Sequence, residues 1–598
     1  MARSYNCMVF LMITLPKLSS LKFYSRSEGS QYANYWDLIA LCLVLAILVL
    51  LGLGAKSMST PYHLGEPIPI SLDIAYLPYY AFRSVLRMGL ALLVSLVFTL
   101  IVGTAAARSV HARRLLIPMI DVLQSVPVLG YLSITVVAFI AIFPNSMLGP
   151  ECAAIFAIFT AQVWNMTLSF YQSLTTVPHD LQEAARMLQL SAWQRFWKLD
   201  VPFAMPGLLW NAMMSMSASW FFVVASEAIT VNQQNITLPG IGSYIAVAVA
   251  QANIHAVLYA ILTMFIVILV YDQLLFRPLN DWSQKFKFEQ LMEEEESSSW
   301  VVRLFRRTKL LRHSGDLLFR AWEGFTNLPL FIGRIVPRMA DTAPRFRKSR
   351  ALPAATLWYI FLGMALLAAL IVLTNFVFAT VTLQEAVHVV FLGALTALRV
   401  MVLILLSSLV WIPIGVWMGM RPRVASFAQP IIQFLASFPV NLVYPVVVLL
   451  VVKFDLNADI WTSPLMILGS QWYIAFNVIA GVSALPKDLR QTASLFNLRG
   501  RLWWQYLVLP GILPYYVTGA ITAAGGAWNA SIIAEVVSWG HTTIVATGLG
   551  SYITSQASHG DFPRLALGIG VMCLYVLTIN HLLWRPLYRL AAERFRLA

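Results

Sequence analysis

The segment "EAARMLQLSAWQRFWKLDVP", Glu183–Pro202, lies between long apolar runs, and a second version, "QTASLFNLRGRLWWQYLVLP", occupies Gln491–Pro510. The offset of 308 residues between them holds well beyond the two segments. It pairs Pro178 with Pro486, Asp180 with Asp488, Ala185 with Ala493 and Pro206 with Pro514. Without a gap it continues to Trp220 with Trp528, Glu227 with Glu535, Gly242-Ser243-Tyr244 with Gly550-Ser551-Tyr552, and Arg277-Pro278-Leu279 with Arg585-Pro586-Leu587. Upstream the offset becomes 312 and pairs Arg87 with Arg399, Gly103 with Gly415, Pro118 with Pro430, Ser125 with Ser437 and Pro127 with Pro439. A correspondence of this length marks a tandem duplication.

The composition says where the duplicated unit lives. The 598 residues are 59% hydrophobic and 11% charged, and a chain so apolar cannot hide its surface from water as an ordinary soluble domain. The formal charge of +14 does not point to nucleic acid, because the basic residues fall in short loops and one linker, where they read as anchors facing anionic lipid. Cys7, Cys42, Cys152 and Cys573 are scattered without metal or disulfide spacing. Residues 1–35 show no small-residue cleavage pattern, so the first span is expected to be retained.

Runs able to cross roughly 30 Å of hydrocarbon as helices of about 20 residues lie near 36–55, 84–107, 116–143, 150–175, 206–230 and 256–276. A second set lies near 354–376, 388–419, 430–452, 463–482, 513–537 and 564–584. Pro118, Pro127 and Gly130 in one run, and Pro430, Pro439 and Pro445 in its copy, predict broken or re-entrant helices, each counted as one span. An even number of spans per copy makes the copies parallel, related by a pseudo-two-fold axis along the membrane normal. The expected fold is an all-α membrane protein of about twelve transmembrane helices in two parallel six-helix repeats. Its expected divisions are an N-terminal cytoplasmic segment 1–35, a first repeat 36–280, a cytoplasmic linker 281–350 and a second repeat 351–598. "ARSVHARR", both inserts, "RPR" and the basic C-terminus lie on one side and the acidic or neutral loops "FPNSMLGPE" and "NADIWTS" on the other. The positive-inside rule then puts both inserts, the linker and both termini in the cytoplasm.

In the first insert Leu181, Ala184 or Ala185, and Leu188 recur at helical spacing while Glu183, Arg186 and Gln189 fall on other faces, which predicts a short amphipathic helix on the cytoplasmic surface. On amphipathicity alone this is an interfacial helix. Two of them related by a pseudo-dyad suit matching clefts on a symmetric cytoplasmic dimer.

Glu183, Ala184, Ala185, Leu188, Trp193, Phe196 and Pro202 resemble the EAA loop of bacterial ABC importer permeases. In the second copy Gln491 and Thr492 stand in place of Glu and Ala, and Gln189 and Asn497 stand where that motif has glycine. The pairs "SVLRMGLALL" and "TALRVMVLIL", "LLIPMIDVLQSVPVLGYLSI" and "FAQPIIQFLASFPVNLVYPV", and "ASEAITVNQQNITLPGIGSYI" and "IAEVVSWGHTTIVATGLGSYI" are similar to permeases of the nitrate, sulfonate, taurine and bicarbonate type. The resemblance covers nearly the whole chain outside the N-terminal segment and the linker. It implies a type I ABC importer permease in which one fused chain replaces a permease dimer in a bacterial inner membrane. The implied partners are two cytoplasmic ABC ATPase subunits, which would carry ATP and magnesium, and a periplasmic or lipid-anchored substrate-binding protein. The resemblance assigns Glu183, Ala184, Ala185 and Leu188, and in the second copy Gln491, Ala493 and Phe496, to ATPase coupling, at two docking sites that are not equivalent.

Within the spans, Arg87 and Arg399 either give an anion path positive potential and planar donors or pair with structural carboxylates. Glu227 and Glu535 would repel an anion and read as structural or gating contacts. Ser125 and Ser437, at the expected breaks, either meet substrate or mark packing kinks. Trp164, Trp220, Tyr473 and Trp528 are candidate pathway aromatics, with packing the alternative. Asp121, opposite Gln433 in the copy, reads as a local hydrogen-bonding group. The sequence carries no phosphate loop, no H-E-x-x-H, no G-x-S-x-G and no ligand-spaced histidine cluster, so no catalytic residue, resident metal or bound cofactor is assigned. An autonomous secondary transporter or channel is the alternative. It would call for inverted repeats or carboxylates along an ion path.

Overall fold

The computed structural model describes residues 68–231, 234–279, 320–327 and 354–594, with Leu45, Val49, Thr60, Pro61 and alternate positions from Gly52 to Met58. The segment 1–35, most of the expected span 36–55 and all of the linker except 320–327 lie outside the described residues. So do Cys7 and Cys42.

The first repeat runs α1 (Leu77–Arg108), α2 (Val110–Leu123), α3 (Val128–Ile142), α4 (Leu148–Thr175), α5 (His179–Met187), α6 (Ala192–Glu227), a hairpin of β1 (Ala228–Val231) and β2 (Gln234–Thr237), α7 (Ile241–Ala250) and α8 (Ile254–Leu279). The second runs α9 (Ala354–Phe378), α10 (Leu383–Gly419), α11 (Pro422–Ser437), α12 (Tyr444–Lys453), α13 (Ala458–Leu468), α14 (Gln471–Ser483), α15 (Lys487–Leu495), α16 (Gly500–Ala534), a hairpin of β3 (Val536–Trp539) and β4 (Thr542–Val545), α17 (Leu549–His559) and α18 (Phe562–Ala591). Seven of these helices are long and apolar enough to cross a membrane, and ten spans result if each of three bent pairs counts as one. With α9 and the undescribed run at 36–55 beside them, twelve is an approximate figure.

The offset of 308 extends to backbone detail. Single π-helical turns interrupt the helices at Phe196–Asp200 and Trp504–Val508, and again at Asp272–Phe276 and Asn580–Trp584. The hairpins also superpose by number, with Ala228 paired to Thr237 and Val536 to Val545. They correct the expected spans 206–230 and 513–537, because the helices stop at Glu227 and Ala534 and the chain turns into strands. Val, Ile and Thr at these positions favour the strand once the carboxylate at each helix end is held by other elements.

The proline-bearing runs break as their sequence predicts. α2 and α3 meet at 103°, with Pro127 in extended conformation capping α3, and α11 meets the following turn and α12 at 67°. The backbone amide freed at Val128 donates to Asn529 Oδ1 of the other repeat at 2.8 Å, as an amide at membrane depth requires. A third bend, 43° between α13 and α14, has no counterpart, since α4 runs unbroken through the equivalent stretch. Each repeat is a bundle of long helices, α1 and α6 on α4, and α10 and α16 on α14, and the two bundles exchange contacts as α11 packs on α6 and α3 on α16.

Candidate functional site

Three features are built on this frame, the first a pair of ion clusters, one closed and one open to water at its edge. At the end of the first repeat away from α5, Arg87 of α1 is fully buried. It donates from Nε to Glu151 Oε2 at 2.6 Å, from Nη2 to Glu151 Oε1 at 2.8 Å and the Pro239 carbonyl at 3.0 Å, and from Nη1 to Glu227 Oε1 at 2.7 Å. Arg83 also pairs with Glu151. Glu227 further accepts from the Ser84 hydroxyl at 2.5 Å and the Gly242 amide at 2.7 Å, while Ser84 accepts from the Ile241 amide. The carboxylate thus caps the positive end of α7. A Cβ at Gly240 would strike this carboxylate and one at Gly242 would strike the Val224 carbonyl, which accounts for two glycines in "PGIGSYI".

The second cluster is the same arrangement in looser form. Thr396 donates to Glu535 Oε1 at 2.8 Å and accepts from the Leu549 amide, and the Ser551 amide donates to Glu535 Oε2 at 2.9 Å. Arg399 lies 3.5 Å from Glu535 and donates to Asp459 at 2.9 Å, but the Asp459 side chain is 47% exposed, against 1% for Glu151. Arg87 and Arg399 are therefore spent on carboxylates, and both glutamates tie three helices together. Glu151 and Asp459 complete the clusters and were not singled out from sequence, although they match at the offset of 308. Asp121 accepts from Gln124 and pairs with Arg585 of the other repeat.

The second feature is the pair of short helices α5 and α15. Each begins after a proline and carries an acid, Asp180 or Asp488, in its first turn. Each ends in a Schellman closure, with the amides of Leu190 and Leu498 reaching back to the carbonyls of Ala185 and Ala493. Gln189 at φ 49° and Asn497 at φ 51° occupy its left-handed position, where a glycine would be unstrained. Ala185 and Ala493 are buried against the permease, so they seat the helices and present no free surface. Glu183, which also pairs with His179 at 3.3 Å, is exposed, and Ala184 is half-buried. Gln491 is exposed, and the apolar tips stand free: Met187 and Leu188 on α5, Leu495 and Phe496 on α15. Met187 and Leu495 join the expected Leu188 and Phe496.

The third feature is a cavity of about 70 Å³ between the repeats, walled by α6 and α16, the α11–α12 break and the α13–α14 bend. Its polar groups are Ser217, Ser470 and Tyr473. Ser125 and Ser437 do not line it; their hydroxyls donate to the carbonyls of Asp121 and Gln433 in their own helices. Trp164, Trp220 and Trp528 lie outside it too, and Trp220 packs edge-on against Tyr271. Among the described residues no three His, Cys, Asp or Glu side chains could hold a metal.

The family model for binding-protein-dependent transport system inner membrane components matches residues 77–276 and again 411–583. The chain is 26% identical over 243 residues to the nitrate import permease protein of Synechocystis, covering 39% of this chain and 83% of that protein. It is 26% identical over 179 residues to the taurine transport system permease protein of Escherichia coli, 29% of this chain and 60% of that one. To the bicarbonate transport system permease protein of Synechocystis it is 27% identical over 164 residues, 27% and 55% respectively. With the domain matched once in each repeat across most of the described residues, the chain belongs to the binding-protein-dependent transport system inner membrane components and carries their domain twice, as a fused duplication.

Proposed function

We propose that this one chain forms both halves of the membrane pathway of an ATP-driven importer for a small anion. The observation that carries the reading is the pair of cytoplasmic helices, α5 and α15, equivalent by number and by closure, each presenting two exposed apolar side chains at its tip. Exposed leucine, methionine and phenylalanine at a helix end are costly in water and suit a hydrophobic cleft on a partner. Two clefts on a dimer of ATPase subunits, which hold the ATP and magnesium, would receive them. A force on α5 or α15 passes directly into α6 or α16, each joined to its short helix by a few residues, and rocks one repeat against the other. This chain catalyses nothing in that scheme. A substrate-binding protein would deliver the solute at the opposite face, near the ion clusters, with the termini and linker in the cytoplasm of a bacterium. Nitrate, taurine and bicarbonate permeases among the relatives support an anion as the solute. Arg87 and Arg399, each already paired with carboxylates, act as anchors of the frame and not as its ligands.

The test is substrate-stimulated ATP hydrolysis by the reconstituted complex. Leu188→Asp with Met187→Asp, or Phe496→Asp with Leu495→Asp, abolishes stimulation while the permease still inserts and folds. Unchanged stimulation in both variants overturns the coupling assignment.

A further inference from the structure

The α13–α14 bend gives the second repeat something the first lacks. At Gly469 and Ser470 the helix stops and restarts, so the amino-terminal end of the 13-residue α14, with its partial positive charge, opens on the cavity between the repeats. Ser470, the residue capping that helix, and Tyr473 in its first turn line the cavity and are 6% and 5% exposed. The Ser470 hydroxyl and the Tyr473 hydroxyl have no hydrogen-bond partner among the described residues. A buried hydroxyl without a partner is uncommon and calls for an explanation. Two of them beside one helix end share an explanation: each can donate to an acceptor that the positive helix end also attracts.

The first repeat has no such place. At the offset of 308 its residues are Gln162 and Asn165, α4 is continuous there, and Gln162 is already bonded to Ser95 and to the Met88 sulfur. Apart from Ser217, whose hydroxyl donates to the Met213 carbonyl of its own helix, the remaining cavity wall is apolar, with Phe222, Phe438 and Val440 among it, and no charged side chain lines it. A cation would find neither carboxylate nor counter-charge. An anion would find two hydroxyl donors and a helix dipole, enough to replace part of its hydration and not enough to trap it, as a transit site needs. The wall offers no carboxylate to an ammonium group, so it suits an oxyanion without a cationic group better than an aminosulfonate zwitterion.

We infer that Ser470, Tyr473 and the amino terminus of α14 form a single transit site for an oxyanion of the nitrate or bicarbonate kind, its donors supplied by the second repeat alone. The site rests on the anion reading above and narrows it. Its test is anion binding to the purified full-length chain in lipid nanodiscs, read by NMR line broadening of isotope-labelled nitrate and bicarbonate, with taurine as the zwitterionic competitor. Both small anions broaden saturably and compete with each other, and taurine does not displace them. Ser470→Ala and Tyr473→Phe each weaken binding about tenfold, the scale of a hydrogen bond to a charged group, while Asn165→Ala leaves it unchanged. Ala530→Leu, which adds bulk to the cavity from α16 and leaves Ser470 and Tyr473 in place, also abolishes it. Absence of saturable binding by the parent chain, equal binding by the folded double variant, or displacement by taurine at equal concentration overturns the site. Binding needs neither ATPase nor binding protein, so a transporter that imports an anion yet shows no such binding loses the site and keeps the importer reading.

Discussion

Arg87→Gln leaves Glu151 and Glu227 buried with too few donors, and breaking a buried pair in this way costs about 3–5 kcal/mol. The expected result is a large drop in the thermal midpoint of the purified chain. Arg399→Gln costs less, because water already reaches Asp459. Equal losses would contradict the difference between a closed and an open cluster. The arginines and the glutamates at 227 and 535 were legible because the duplication pairs them and a charge in an apolar run demands a partner. Glu151 and Asp459 were not, since the offset changes between Pro127 and Glu151 and a conservative acid exchange hides in the gap. The same holds for Ser84 and Thr396, where one hydroxyl replaces another. At Gln189 the left-handed backbone means Gln189→Gly is neutral or slightly stabilising, whereas Gln189→Val loses about 1–2 kcal/mol, readable as a lower midpoint. A Val variant as stable as its parent would deny the strain.

Among the elements, the broken helices announced themselves through Pro127 and Pro439, since proline supplies no amide and disfavours helix before it. The bend at Gly469 did not, because a Gly-Ser pair inside an apolar run is compatible with a continuous helix. The hairpins were hidden by apolar strands that extend the preceding helical run without a change of composition. The linker reveals an asymmetry of its own. Residues 320–327 dock on the base of α6, with Trp193 Nε1 donating to the Phe325 carbonyl at 2.9 Å and Trp197 edge-on to Trp322 at 4.8 Å. The second repeat has Arg501 and Gln505 in place of those tryptophans, so it cannot form the same aromatic box. Trp322→Ala with Phe325→Ala is expected to release this segment and to speed tryptic cleavage after Arg320 several-fold, as local opening exposes backbone to protease. An unchanged cleavage rate would mean the box does not hold it.

For the whole molecule, the parallel duplication was legible because two copies of one unit reinforce every weak signal, and the offset survives down to the π-helical turns. The even number of spans fixes the expected topology: cysteines placed at Ser298, Glu183 and Gln491 react only with reagents that reach the cytoplasm. Labelling of one of them from outside would break the parallel arrangement. The central claim is that one chain supplies both halves of the pathway, since α6 and α16, with the α11–α12 break, already enclose the cavity between the repeats. Native mass spectrometry of the transporter purified with its ATPase measures this directly. One copy of the 598-residue chain with two ATPase subunits is the expected composition, and a complex holding two copies of the chain would contradict it.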